Sequence, residues 1–416
     1  MTTHDSGLLS ADPSTLRDHT RIQARPRLLY IDNLRTAVII GVILVHLAVT
    51  YGFDADWMYY EGGETNPVFN AVALMLAGIG MAFALGLLFL IAGYFTPPAF
   101  DRKGSRGFVV DRLKRLAIPW LFYAIFLNPL VHYAVDVHGG DCQGSLFDCQ
   151  FQGSFWDYLR VYPGTLGSWG DGPVWFLEAL LVFSLFYALW RQLVARQASA
   201  IDGPLRRPLP LPSDGSIAIF ALAIGLVTFI VRFWFTAFDF IEPFHFEFAR
   251  FTQYVALFAA GTWAYRGDWL ATFSDRRVRT WRWVALLCIL ILPALIVASG
   301  GLSGEFDERI AHGVNWLSFA YSVWEGFMAV SMVIVVLAWF RSHFNQQGRL
   351  ARLMSQTSFA VYVIHPAVIV PLALFLSGIE MNLSLKFLVV TPFAVALCYL
   401  VAYGLRQVPG LKAILG

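Results

Sequence analysis

Ten long apolar runs divide this chain, and their length limits its fold more than any other feature. A bilayer core about 30 Å thick takes roughly 20 apolar residues per helix. Runs of that order lie at about 30–51, 68–97, 116–138, 172–194, 216–238, 246–265, 283–302, 315–340, 355–377 and 385–405. They are apolar on every face, without the alternation of a transmembrane barrel strand. The expected class is an all-α polytopic membrane protein with about ten transmembrane helices. The second run exceeds one straight crossing, so a tilt or a break near Gly78 and Gly80 is expected. Composition agrees: only 14% of residues are charged, against about 25% in a soluble domain. Disorder is excluded by the apolar content, and a small disulfide scaffold by a total of four cysteines in 416 residues.

The formal net charge of +2 hides a partition. Cytoplasmic loops carry the Lys and Arg excess. With the N-terminus inside, every basic residue falls in an inner segment or at its edge except Arg160, Arg232, Arg250, Arg309 and Lys386. Both termini are therefore expected to be cytoplasmic. The outer segments hold many of the acids, including Asp54, Asp56, Glu61, Glu64, Glu305, Asp307 and Glu308. Residues 1–27 are polar with no apolar core of a signal peptide, and read as a cytoplasmic tail. Residues 28–416 form the membrane domain. A Pro-rich connector spans 196–215, and no internal repeat of the transporter kind is evident.

Cys142 and Cys149 share an outer loop, where they either form a disulfide or remain free thiols. Cys288 and Cys398 lie within runs as packing residues. No Cys/His set has zinc-ligand spacing, so no metal is expected.

Ionisable residues inside spans are costly and mark function by default, with structural pairing as the alternative. Arg35 and His46 are eleven residues apart, about three helical turns, so they share one face about 16 Å apart along the axis. Asp32, one turn before Arg35, is that arginine's expected partner. Arg112 and Arg115, at i and i+3, share a face at the inner headgroup level. They serve either as positive-inside anchors or as a phosphate clamp, since guanidinium forks match phosphate oxygens. Glu178, Arg232, Glu325 and His365 are the remaining intramembrane groups, expected to line a polar interior. For Arg232, pairing with a Glu explains the charge as well as chemistry does. His365, just before Pro366, also suits a helix-kink partner.

At these residues the sequence resembles the acyltransferase 3 family of integral-membrane O-acyltransferases. The resemblance is carried by Arg35 and His46 within LYIDNLRTAVIIGVILVH, by FLIAGYFTPP, by Arg112 and Arg115 before Pro119, by GPVWFLEALLVF and by SFAVYVIHP. They occur in the family's order from about residue 28 onward. FLIAGYF and the C-terminal LRQVPGLKAILG look most like the glucan-modifying branch, periplasmic-glucan succinyltransferases of the glucans biosynthesis protein C type.

The resemblance implies a bacterial inner-membrane enzyme that moves an acetyl or succinyl group from cytoplasmic acyl-CoA to a hydroxyl of an envelope glycan or another extracytoplasmic acceptor. Acyl-CoA is then a donor substrate, with no permanently bound cofactor and no nucleic-acid partner. By the family pattern His46 is the catalytic residue, Arg35 its motif partner, and Arg112 and Arg115 the inner-face motif that meets the CoA phosphates. The chemistry suits a histidine base, because a sugar hydroxyl is a poor nucleophile and imidazole titrates near neutral pH. Arg232 or Tyr362 is a candidate oxyanion donor.

The C-terminal hydrolase-like domain of many members is not expected here, so an extracytoplasmic partner protein is a candidate for the final step. Tyr51 stands where soluble acyltransferases often place an Asp five residues after the His. The rival reading is a secondary transporter or flippase for an acylated or glycan substrate, with the same ionisable groups as proton relays or substrate contacts.

Overall fold

The computed structural model describes residues 27–53, 57–138, 151–165, 172–198, 209–237, 241, 246–300 and 308–416. The tail before Arg27, Asp54, Asp56, Cys142, Cys149, Glu305, Asp307 and residues 199–208 of the Pro-rich connector lie outside the described residues. The chain forms α1 (Leu29–Tyr51), α2 (Pro67–Arg112), α3 (Ile118–Phe122), α4 (Asn128–His138), α5 (Phe155–Thr165), α6 (Trp175–Ala198) and α7 (Asp214–Val231). It continues with α8 (Phe248–Gly267), α9 (Trp269–Thr272), α10 (Asp275–Ala298), α11 (Trp316–His343), α12 (Arg349–Leu376), α13 (Leu383–Leu405) and α14 (Pro409–Leu415). No β-strand occurs among the described residues, so the protein is all-α, as expected.

Among the described residues, eight helical segments are long and apolar enough to cross a membrane. One of them, Pro67–His138, is 72 residues long and contains two of the expected runs. The run at 246–265 is present as α8 but is not among the eight. Its lower apolarity comes from Arg250, Gln253 and Tyr254, all buried inside the protein. The long segment runs unbroken through Gly78 and Gly80, so of the tilt or break expected there the break is absent. Its non-helical backbone is at Gly104, with φ of 66°, a conformation open to glycine at no steric cost. Two π-helical turns, Leu113–Ala117 and Tyr123–Leu127, follow before α4.

Caps and small residues explain several local choices. The Asn66 side chain accepts from the N–H groups of Val68 and Phe69, with Pro67 in the first turn of α2. Gly93 and Gly261 let α2 and α8 touch backbone to backbone, since a Cβ on either would strike the other helix. Gly225 and Gly326 do the same for α7 and α11. Such close approach is the usual basis of helix packing in lipid, where burial of apolar surface gives no drive.

Contacts sort the connections into two ends, in the alternation expected of successive crossings. At the end assigned to the inner face, Asn33 donates to the carbonyls of Phe344 and Gln346. Arg341 donates to those of Leu270 and Phe273, and Arg191 pairs with Asp101. At the other end Lys386 pairs with Glu61, the Leu383 N–H donates to the Glu64 carbonyl, and His138 meets Ser377. One side of α1 enters a core with α12 and α13 through Ile39, Ile43 and Leu47. Its other side joins α2, α8 and α11 through Tyr30, Ile31 and Leu34. This places α1 between two packed groups.

Candidate active site

His46 and His365, 319 residues apart in sequence, meet where α1 packs on α12. His46 Nδ1 lies 2.9 Å from His365 Nε2. His365 Nδ1 lies 2.7 Å from the carbonyl oxygen of Tyr362 on its own helix. The ring of Trp57 stacks on His46 with centroids 3.9 Å apart and planes 8° from parallel. Its indole N–H donates to Thr50 Oγ1, which in turn donates to the His46 carbonyl. The segment after α1 thus folds back over the helix end and clamps the imidazole between an indole and a second imidazole. Lys386 secures this segment by donating to Glu61 and to the carbonyls of Leu376 and Ile379. Among the described residues no carboxylate is bonded to either histidine, and no group of His, Cys, Asp and Glu is arranged to hold a metal ion.

Along α1 toward the opposite end, Arg35, Val42 and His46 keep accessible surface, while the flanking Ile39 and Ile43 are buried. The expected Asp32–Arg35 pair does not form. Asp32 instead accepts from Arg27 Nε at 2.7 Å. Helical Cα–Cβ bonds tilt toward the N-terminus, so the Asp32 carboxylate leans back toward Arg27. Arg35 is exposed and makes no ion pair among the described residues.

Other candidates are placed elsewhere. Arg232 is the C-cap of α7, not a mid-helix residue. It donates to Ser322 Oγ at 2.7 Å and to Glu325 at 2.8 Å, and lies over the Tyr321 ring. Glu325 also receives Arg250 at 2.9 Å, and Arg250 binds Glu247 at 2.9 Å. The expected pairing of Arg232 with a glutamate is present, as part of a buried network between α7, α8 and α11. Glu178, in the first turn of α6, borders a cavity of about 810 Å³ walled by aromatic residues such as Phe183, Trp190, Phe246 and Phe251. Neither histidine lines it. The Tyr362 hydroxyl, a candidate oxyanion donor, donates to the Pro173 carbonyl at 2.7 Å.

Arg112 and Arg115 part company. Arg115 is largely exposed and donates to Asp111, which also binds Lys103. Arg112 is half-buried over the Phe108 ring, and its Nε has no partner among the described residues. A π-helical turn begins at Leu113, between the two arginines.

Trp57 escaped sequence reasoning. The usable signal is the cluster Trp57, Met58 and Tyr59 within an acidic connector, all three buried in the same core as Ile43 and Leu47. Aromatic residues in a loop directly after a helix bearing an intramembrane histidine are candidates for its cover.

The sequence profile of a family described as an acyltransferase domain matches residues 28–403. No curated protein and no solved structure matches the chain. Ordered helices, an intramembrane histidine pair and a profile spanning nearly the whole chain agree: this protein belongs to the acyltransferase 3 family of membrane acyltransferases.

Proposed function

We propose that the chain transfers an acetyl or succinyl group from cytoplasmic acyl-CoA to a hydroxyl of an extracytoplasmic glycan, with His46 as the general base. One observation carries this reading: His46 is held between Trp57 and His365 through its ring face and Nδ1, which leaves Nε2 for a substrate. His46 Nε2 takes the proton of the acceptor hydroxyl as the oxygen attacks the thioester carbonyl. The tetrahedral intermediate collapses, the C–S bond breaks, and the departing thiolate recovers the proton from His46. The products are the O-acyl glycan and the CoA thiol.

Arg35, unpaired within the described residues, lies about 16 Å down the same helix. A CoA nucleotide held near the basic end can therefore extend its pantetheine arm along the α1 seam to His46. Arg112, over the Phe108 ring, and the exposed Arg115 are the residues assigned to the CoA phosphates. We assign Arg232 and Glu325 to support of the fold, because each is already committed to a buried partner. The glucan-like segments favour a periplasmic glucan as acceptor within the bacterial inner membrane's reach.

Mass spectrometry of envelope glycans from cells with the gene intact, deleted or carrying His46→Ala tests the reading. Loss of an acyl ester in both the deletion and the variant is expected. An unchanged ester in His46→Ala would remove His46 from the chemistry.

A further inference from the structure

We propose that the dipeptide His365–Pro366 sets the tautomer of His46, and that His365 is therefore a positioning residue for the base. This deepens the reading above and rests on it. Pro366 lies inside α12 and has no N–H, so the carbonyl four residues earlier, that of Tyr362, loses its helical donor. A buried carbonyl in a membrane interior needs another. His365 Nδ1, 2.7 Å from that oxygen, supplies it.

A carbonyl only accepts, so the hydrogen of this bond belongs to His365 Nδ1. A neutral imidazole carries one N–H; Nε2 of His365 is therefore a lone pair. That atom lies 2.9 Å from His46 Nδ1, which must be the donor. The remaining nitrogen of His46, Nε2, is then unprotonated and able to take a proton. A helix defect at one proline thus orders the protons of two rings on two helices.

The same arrangement accommodates the charge that forms during transfer. When Nε2 of His46 takes the hydroxyl proton, its Nδ1–H keeps an acceptor in His365. The parallel indole of Trp57 presents a π face to the new cation. The proton then passes to the thiolate sulfur, so both rings return to their starting state. In a Ser–His–Asp triad a carboxylate orients the base; here a neutral histidine anchored to a backbone carbonyl does so.

Two substitutions separate orientation from repair of the helix. His365→Gln keeps an acceptor near the Nε2 position and has no donor at Nδ1. His365→Asn keeps a donor near Nδ1 and loses the acceptor. In full-length protein in lipid nanodiscs with ¹⁵N-labelled histidine, the His46 signals, identified by their loss in His46→Ala, should report a protonated Nδ1 and bare Nε2. Thiol release from acetyl-CoA and succinyl-CoA by membranes containing the protein should fall about 10- to 100-fold in His365→Asn at unchanged thioester KM. His365→Gln should be slowed only a few-fold. His46 protonated on Nε2 in the wild type overturns the proposal without any variant needing to fold. So does equal loss in both variants, or a Gln form slower than the Asn form. Activity surviving in His46→Ala overturns the base assignment instead, whatever the tautomer proves to be.

Discussion

Replacing Glu325 with Gln decides whether the buried charges between α7, α8 and α11 hold the fold or take part in transfer. Glu325 is 3% exposed and is bound by Arg232, 0% exposed, and by Arg250, 2% exposed. With Glu247 on Arg250, two cations and two anions make a neutral cluster. The amide leaves two buried guanidinium groups on one carboxylate, an excess of one positive charge away from water. Removing one partner of a buried pair costs about 3–5 kcal/mol. The amide oxygen still accepts from one arginine, so the low end, about 3 kcal/mol, is expected. That is roughly a hundredfold in the folded-to-unfolded ratio. Denaturant unfolding in detergent, followed by tryptophan fluorescence, measures it. The double variant Arg232→Met with Glu325→Leu leaves Arg250 and Glu247 as a neutral pair, and should recover most of the loss. Wild-type unfolding of Glu325→Gln together with abolished glycan acylation would refute the structural assignment, and so would a double variant no more stable than the single one.

Val42 lies on the α1 seam between Arg35 and His46. Val42→Trp should lower thiol release from acyl-CoA at least tenfold while unfolding as the wild type does; unchanged turnover would rule out the seam as the donor's path. Glu61→Ala should free the segment that carries Trp57 from Lys386, with faster amide exchange over residues 57–61 and slower acylation; unaltered exchange would show that the ion pair does not secure the cover. The Ser154 hydroxyl and N–H hold the Asp157 carboxyl below its usual range at the start of α5. This cap therefore contributes above the carboxylate's unfolded pKa and is lost as pH falls through its lower folded value. Amide exchange in the first turn of α5 should accelerate only in acid beyond its intrinsic pH dependence, and Asp157→Asn should remove the excess.

The apolar runs were legible because a bilayer imposes one length on every crossing, and the helices of the described residues follow them closely. Where the helices bend was less legible. Gly78 and Gly80 looked like a break but lie on unbroken helix, whereas Gly104, with no distinguishing neighbour in sequence, takes positive φ. A π-helical turn follows Arg112, whereas residue spacing alone assumes a uniform helix. Asp32 shows the same limit at close range: counting along the helix offers Arg35, while side-chain direction delivers Arg27.

The sequence by itself determined a helical membrane protein, its alternating ends, its family and the placement of Arg35 and His46 on one helix face. These follow from composition, period and motif order, which are properties of the chain read in line. Only the tertiary structure decided partners. His46 meets His365 across 319 positions and Arg232 meets Glu325 across 93. Nothing in local spacing ranks one intramembrane polar group over another as the mate of a third. Packing ranks them, because a buried donor must take whichever acceptor the neighbouring helix presents within about 3 Å.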